Sequence, residues 1–414
     1  MNELFLFWRL KICCQNGFRR KKSTVRAIYQ ALTKILSSID SGKKTVALYL
    51  NLSRAFDSVD HGALVLKLET YGIRGIANKI IASYLSDRGQ AVAVKDKNGD
   101  LITSEFGCVK RGVPQGLILG PLLYILYTNE LPNIIPNTTQ FADDTSVVLS
   151  LESGDDEAEK ISDTLSVMET WFSANNLLLN IDKTQIIKFS YQTNFISKKY
   201  ANNNKFLETL PSAKFLGIQV DHRLDWKIHT DLLAGKIAGY CYALKVLSTE
   251  VNPETAIMAY HAFVHSQLKY GIIFWARGLE ANRIFQLQKR CIRNIFNLKS
   301  VETCKPKFVE SGILTFISAY IYEGVIFIKE NPNLFNSFSR NHSHETRHKE
   351  DLNTIKCNFT FIQKNVQSSI IRIYNKIPSE IRNQNVRNLK RYLRGLLVSR
   401  AYYTLEEFFG DRLL

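Results

Sequence analysis

The sequence predicts an α+β fold, with strands gathered in its first half and helices filling its second. Three stretches carry that expectation. Thr138-Thr139-Gln140-Phe141-Ala142-Asp143-Asp144-Thr145-Ser146-Val147-Val148-Leu149 sets a β-favouring run on either side of two adjacent carboxylates. It reads as a β-hairpin with Asp143 and Asp144 at its tight turn. Thr45-Val46-Ala47-Leu48-Tyr49-Leu50-Asn51-Leu52, bounded by Gly42 and by Ser53-Arg54, reads as a buried strand. From Trp226 onward the pattern turns helical, through Tyr240-Cys241-Tyr242-Ala243-Leu244, Tyr260-His261-Ala262-Phe263-Val264-His265 and Leu287-Gln288-Lys289-Arg290-Cys291.

The other elements follow in chain order. Gln15 to Arg26 is a dense basic loop with Arg19, Arg20, Lys21 and Lys22 at its centre. Ser23 or Thr24 then caps a helix in which Ala27, Ile28, Leu32, Ile35, Leu36 and Ile39 recur at helical spacing. A basic loop feeding a helix N-terminus suits a phosphate contact, and a solvated charge run is the equal alternative. Beyond the 45–52 strand, Asp57 or Ser58 is expected to cap a helix through Leu64, Leu66, Leu68 and Tyr71, with Gly72 stopping it. An apolar helix, the turn Ser86-Asp87-Arg88-Gly89 and two strands joined by Lys97-Asn98-Gly99-Asp100 lead to the loop from Lys110 to Leu123. Three glycines and two prolines make this loop close and stiff, with Gln115 beside Gly116, where a ligand can approach the backbone. An apolar helix from Leu122 to Tyr127 precedes the hairpin. An amphipathic helix with Ile161, Leu165, Met168, Trp171 and Phe172 on one face follows it. Asn176 to Phe189 reads as loop into strand, and Phe215 to Asp221 as a further strand; the polar stretch from Asn331 to Asn353 separates a last helical region.

Successive strand side chains point to opposite faces, so one of the paired carboxylates, Asp143, is expected to aim into a shared site. A carboxylate on a rigid hairpin suits a hard divalent cation such as Mg²⁺, which takes oxygen ligands and keeps substrate phosphates in its shell. Taken alone, the pair reads equally well as a solvated turn. Composition narrows the rest. Of 414 residues, 45% are hydrophobic, which is ample for a packed core in two or three domains and excludes a disordered chain. Lys and Arg number 54 against 38 Asp and Glu, and the resulting charge of +16 favours a polyanionic partner, nucleic acid first. Seven cysteines without Cys-x-x-Cys spacing predict free thiols and no structural zinc. Met1 to Leu10 is too short an apolar run for a membrane span and lacks a small-residue cleavage site. An intracellular chain, in the nucleus or cytoplasm and off the membrane, is expected.

The order of the motifs is more specific than any one of them. A strand ending in Ala55-Phe56-Asp57, the loop Arg111-Gly112-Val113-Pro114-Gln115-Gly116, Phe141-Ala142-Asp143-Asp144, Lys183-Thr184 and Phe215-Leu216-Gly217 resemble, in this order, motifs A to E of the reverse transcriptase of non-LTR retrotransposons, in its jockey-like lineage. The resemblance runs from about Gln15 to the C-terminus, because His265 to Gly271 and Tyr374 to Pro378 resemble the thumb and tail of those polyproteins. It implies a right-hand polymerase palm with partial fingers, a helical thumb and a helical C-terminal region. It also implies an enzyme that copies an RNA template into DNA from a primer and dNTPs, using two Mg²⁺ ions held by a motif A aspartate and the first motif C aspartate. Two such ions activate the primer hydroxyl and stabilise the leaving pyrophosphate, and shared carboxylates offset their mutual repulsion. By the resemblance, Asp143 is the motif C ligand and Asp144 its neighbour; Phe56 lies under the deoxyribose and excludes a 2′-hydroxyl. Gln115 and Gly116 line the nucleotide pocket, and Lys183 is the proton donor to pyrophosphate. Without the motif order, Phe56 reads as core and Lys183 as a surface charge.

Three features depart from the family pattern. Where members have Asp-Leu-Ser-Lys-Ala-Phe-Asp, the first position, the metal ligand, is Asn51, whose amide oxygen can touch Mg²⁺ but brings no charge. Asp57, six residues further along an extended strand, would stand ~20 Å away. Leu117 takes the place of a small serine, and Met1 to Cys14 does not resemble the finger motifs that precede Gln15 in the family. No endonuclease domain is read. The expected organisation is a non-matching extension (1–14), partial fingers and palm (15–220), a helical thumb (221–300) and a helical C-terminal region (301–414). The expected function is an RNA-directed DNA polymerase domain, weak or inactive through Asn51 and the missing finger motifs; the alternative is a catalytically dead nucleic-acid-binding remnant. Near the C-terminus, Ile381 to Arg400 holds six basic residues and no acidic one. A helix there would turn Leu389, Leu393 and Leu396 inward and offer Arg387, Lys390, Arg391 and Arg394 to a phosphate backbone, or merely to solvent.

Overall fold

The computed structural model describes residues 12, 14–116, 118–190, 192, 195–202, 205–335, 351–354, 358 and 366–412. These fall into two compact units that divide between Leu216 and Gly217. The first is built on a four-stranded antiparallel sheet in the order Gln185–Phe189, Lys44–Leu50, Asp144–Leu151, Thr138–Phe141. Lys44–Leu50 lies inside the sheet and is buried from Thr45 to Leu50. Both of its faces are covered, which is why its sequence is a continuous apolar run rather than an alternating one. On one face, Val46, Leu48, Leu50, Val147 and Ile186 join a core with Leu64, Leu123, Ile161, Leu165 and Phe172, supplied by three helices. The other face meets the helix Thr24–Asp40, which buries Ala27, Ile28, Ala31, Leu32 and Ile35 and is capped by Ser23.

Two local expectations need correction here. Ala55-Phe56-Asp57 is not the end of the strand. The strand stops at Leu50, a two-residue strand Leu52–Ser53 follows, Arg54 turns the backbone at φ 48°, and Ala55–Ser58 forms one turn of 3₁₀ helix. Asp57 is therefore not displaced along an extended strand. The cap of the next helix, His61–Thr70, is Asp60 and neither Asp57 nor Ser58, because Val59 leaves the 3₁₀ turn extended and brings the Asp60 carboxylate to the Ala63 N–H at 2.9 Å.

The second unit is helical after a short opening strand. Phe215 to Asp221 is not continuous: Leu216 and Gly217 have φ of 46° and 84°, so one strand ends at Phe215 and the next spans Ile218–Asp221. Lys227–Glu250 packs against Ala281–Ile295, which buries Ile284, Phe285, Cys291, Ile292 and Ile295 on a single face. Phe316–Glu330, buried along most of its length, meets Val366–Lys376 and Val386–Arg400. The last of these buries Leu389, Leu393 and Leu397, so Leu397 replaces the expected Leu396: the buried stripe follows the i, i+4, i+8 row of the helix. Among the described residues, no helix is long and apolar enough to cross a membrane.

Candidate active site

The two aspartates sit where the hairpin closes. Phe141 and Asp144 are its last paired residues, so Ala142 and Asp143 form a two-residue turn, with Ala142 at φ 55°. On the neighbouring strand Leu50 pairs with Thr145, the last pair of that ladder, and Asn51 follows it directly, at the sheet end where Asp144 precedes Thr145. Strand alternation does not separate the two carboxylates here, because Asp143 belongs to the turn. Both are half-buried, and burial followed by the charge of Asp143 pushes Asp144 from 3.8 up to about 6. The same pair acts on Tyr124: burial first, then Asp143 and Asp144, hold its phenol above the usual range. Tyr124 stacks on Phe56 with ring centroids 4.4 Å apart, and Phe18 meets Phe56 edge-on at 6.1 Å. Phe56 is thus half-buried in an aromatic group beside the carboxylates.

A raised carboxylate makes the metal-free protein pH-sensitive. Asp144 binds its proton more tightly folded than unfolded, so its contribution is neutral below about pH 4 and becomes destabilising as pH rises through about 6. Asp144→Asn should therefore melt with wild type in acid and above it at neutral pH. Equal melting temperatures across that range would contradict the shift.

The remaining motif residues are tied to this centre by the backbone. The Asn180 N–H donates to the Asn51 carbonyl at 2.9 Å, and the Asn180 side chain accepts from the Lys183 N–H at 3.2 Å, so the exposed Lys183 and Asn51 share one brace. In the 110–123 loop the Gly112 N–H donates to the Val59 carbonyl at 2.7 Å and the Val113 N–H to the Phe56 carbonyl at 2.9 Å. A Cβ on Gly112 would stand 2.9 Å from Asp57 backbone atoms, so only glycine permits that approach. Gln115 donates to the Asp57 carboxylate at 2.9 Å, and Gly116 faces open space. Leu117 lies outside the described residues. Sequence reading missed two contributors, Tyr124 and Gln15, whose Oε1 accepts from the Ala142 N–H at the turn at 2.8 Å. The first was visible only as part of an apolar helix, the second only as the start of a basic loop.

Among the described residues, no three His, Cys, Asp or Glu side chains converge to hold a metal. Asp143, Asp144 and the Asn51 amide are nonetheless hard oxygen donors, and a cation would offset both the burial and the Asp143 charge that raise Asp144. They suit one divalent ion. A second adjacent ion lacks the further carboxylate that would offset its charge.

The basic candidates divide by environment. Arg19 donates to the carbonyls of Ile12 and Gln15 at 2.8 and 3.0 Å and so braces its own loop, whereas Arg20 and Lys21 are exposed. Burial, then Arg26 and Arg19, pushes Lys22 down to about 8. In the second unit, Arg387, Arg391 and Arg394 are exposed, but Lys390 is paired with Glu330 at 2.6 Å. Arg382, from the same basic run, is buried against Asp351.

An antiparallel sheet that presents paired aspartates at a hairpin turn beside a strand end defines the palm of a right-hand polymerase. Residues 12–220, half of the chain, match the family described as reverse transcriptase (RNA-dependent DNA polymerase), and the chain belongs to it. It is a reverse transcriptase domain of the jockey-like, non-LTR kind. The probable RNA-directed DNA polymerase from transposon X-element of Drosophila melanogaster is 29% identical over 300 residues, 68% of this chain and 31% of that protein. The RNA-directed DNA polymerase from mobile element jockey of the same organism is 25% identical over 299 residues, with the same coverage of 68% and 31%. The chain thus spans about a third of the length of these relatives. Among solved structures, a telomerase from Candida albicans in complex with a TWJ fragment of telomeric RNA aligns over 75% of this chain and 49% of that one, at 15% identity and a TM-score of 0.37.

Proposed function

We propose that this chain copies RNA into DNA from a primer and dNTPs with Mg²⁺ as its ion, and that Asn51 holds its activity low. The observation that carries the reading is the Asp143–Asp144 turn at the sheet end where Asn51 follows the paired Leu50. The chemistry a bound Mg²⁺ would supply is Lewis-acid polarisation at the primer hydroxyl and charge neutralisation at the pyrophosphate. Asp143 and Asp144 would hold it, and Asn51 would lend an uncharged oxygen. Phe56 lies under the deoxyribose, Gln115 and Gly116 line the nucleotide pocket, and Lys183 donates the proton to pyrophosphate. Partial fingers and palm occupy 15–220, the thumb 221–300 and a helical C-terminal region 301–414, and the chain works where nucleic acid is met, in the nucleus or cytoplasm. Asn51 itself favours a second reading, a dead remnant that still binds nucleic acid. Primer extension by wild type and by Asn51→Asp separates the two: extension by the revertant supports the polymerase, and RNA binding without extension by either supports the remnant.

RNA contact by the Val386–Arg400 helix is part of this reading, and its exposed arginines support it. Arg387→Gln with Arg391→Gln should weaken RNA binding alike for all sequences and flatten its salt dependence by roughly 1.4 logarithmic units per logarithmic unit of salt, for two phosphates on a single strand. Lys390→Gln should do less, since Glu330 already pairs with that ammonium. An unchanged salt slope in the double variant would remove this helix from the interface.

A further inference from the structure

Ala142 holds a backbone conformation that an L-residue seldom adopts, φ 55°, at the turn that carries Asp143. Such a conformation persists only where its surroundings impose it. Here one side chain does so from far away in sequence. Gln15 Oε1 accepts from the Ala142 N–H at 2.8 Å, and Gln15 Nε2 donates to the Ala142 carbonyl at 3.1 Å, so one amide holds both polar groups of the strained residue. The same Oε1 accepts from the Gly17 N–H at 2.8 Å, which fixes the amide in turn. Around it, the Asn16 N–H donates to the Gln140 carbonyl at 2.8 Å and the Gln140 N–H to the Cys14 carbonyl at 3.1 Å. Asn16 Nδ2 anchors the segment to Gln30 Oε1 at 2.8 Å, on the helix Thr24–Asp40. Gln15 and Asn16 are 2% and 1% exposed. A Cβ on Gly17 would come within 2.3 Å of the Ala142 nitrogen, so the segment seats directly against the turn.

We infer that Gln15 is a positioning residue: its amide, seated by Gly17, locks the Ala142 turn and thereby sets where the Asp143 and Asp144 carboxylates stand for a divalent cation. The inference rests on the metal-binding part of the proposed function. A buried amide bonded to both groups of one residue has no cheaper replacement, because losing it strands an N–H and a carbonyl away from water. If the clamp sets the carboxylates, its loss weakens cation binding, and a turn that needs no clamp restores it.

The test uses the full chain carrying Asn51→Asp, with Mn²⁺ as the probe ion and hydrogen exchange of the Ala142 amide as a metal-free readout. Gln15→Leu and Gly17→Ala should each speed Ala142 exchange and weaken Mn²⁺ binding by about tenfold, the scale of one or two lost hydrogen bonds. Adding Ala142→Gly to Gln15→Leu should return most of the Mn²⁺ affinity, because glycine adopts the positive φ unaided. Unchanged exchange and affinity in Gly17→Ala would overturn the inference even where Gln15→Leu fails to fold. Failure of Ala142→Gly to recover affinity in a folded double variant would overturn it as well. If the parent itself neither binds Mn²⁺ nor extends a primer, the polymerase reading falls, while Ala142 exchange still decides whether the clamp exists.

Discussion

Asn51→Asp should raise primer extension by about a hundredfold or more, the equivalent of about 2.7 kcal/mol of transition-state stabilisation and within what a bound Lewis acid supplies. Residue 51 directly follows Leu50, which pairs with Thr145 beside Asp144, so the new carboxylate stands at the same sheet end as the two at the turn. Asn and Asp are nearly isosteric, and the pairing from Lys44↔Leu151 to Leu50↔Thr145 should persist. Without metal the revertant should be neutral or slightly less stable, because burial and then the Asp143 charge already oppose ionisation of Asp144, and a third carboxylate adds to the repulsion. Millimolar Mg²⁺ should then raise its melting temperature more than that of the natural chain. If the natural chain gains as much from Mg²⁺ and extends a primer comparably, residue 51 is not at the metal position.

The second large effect belongs to the other unit. Arg382 reaches the Asp351 carboxylate at 2.7 Å, with side-chain exposures of 7% and 14%, and its guanidinium lies over the Tyr374 ring at 5.4 Å. Its own carbonyl accepts from Lys329 Nζ at 2.5 Å. Arg382→Ala removes one partner of a buried ion pair together with the guanidinium's stacking on Tyr374, at a cost of about 3 to 4 kcal/mol. In a unit of this size that is roughly 10 °C in melting temperature. Arg382→Met with Asp351→Leu should recover most of the loss, since apolar packing of similar volume then replaces the ion pair. A single variant that melts within a degree of wild type would show that the pair is solvated in solution.

Arg382 also shows where reading by composition stops. In sequence it is one of six basic residues in a run with no acidic member, indistinguishable from Arg387 or Arg391. In the fold it is buried and paired, Lys390 is held by Glu330, and the arginines at 387, 391 and 394 are left facing out. Charge counts the run correctly. It says nothing of partners such as Glu330, 60 residues away.

What the sequence by itself determined is whatever rests on short-range pattern. The apolar run 45–50 became the buried strand, the paired runs around Asp143 and Asp144 became the hairpin, and Ile161, Leu165, Met168 and Phe172 became a buried helix face. Side-chain periodicity is set by neighbouring residues, so it can be read without the fold. Tertiary structure alone decided the rest: that Asp60 caps the helix after the 3₁₀ turn, that Tyr124 stacks on Phe56, and that Gln15 holds a turn 127 residues away. Those contacts depend on which backbone groups remain unpaired once the sheet has formed, and no local spacing encodes that. A buried N–H or carbonyl must find a partner wherever the packed chain presents one.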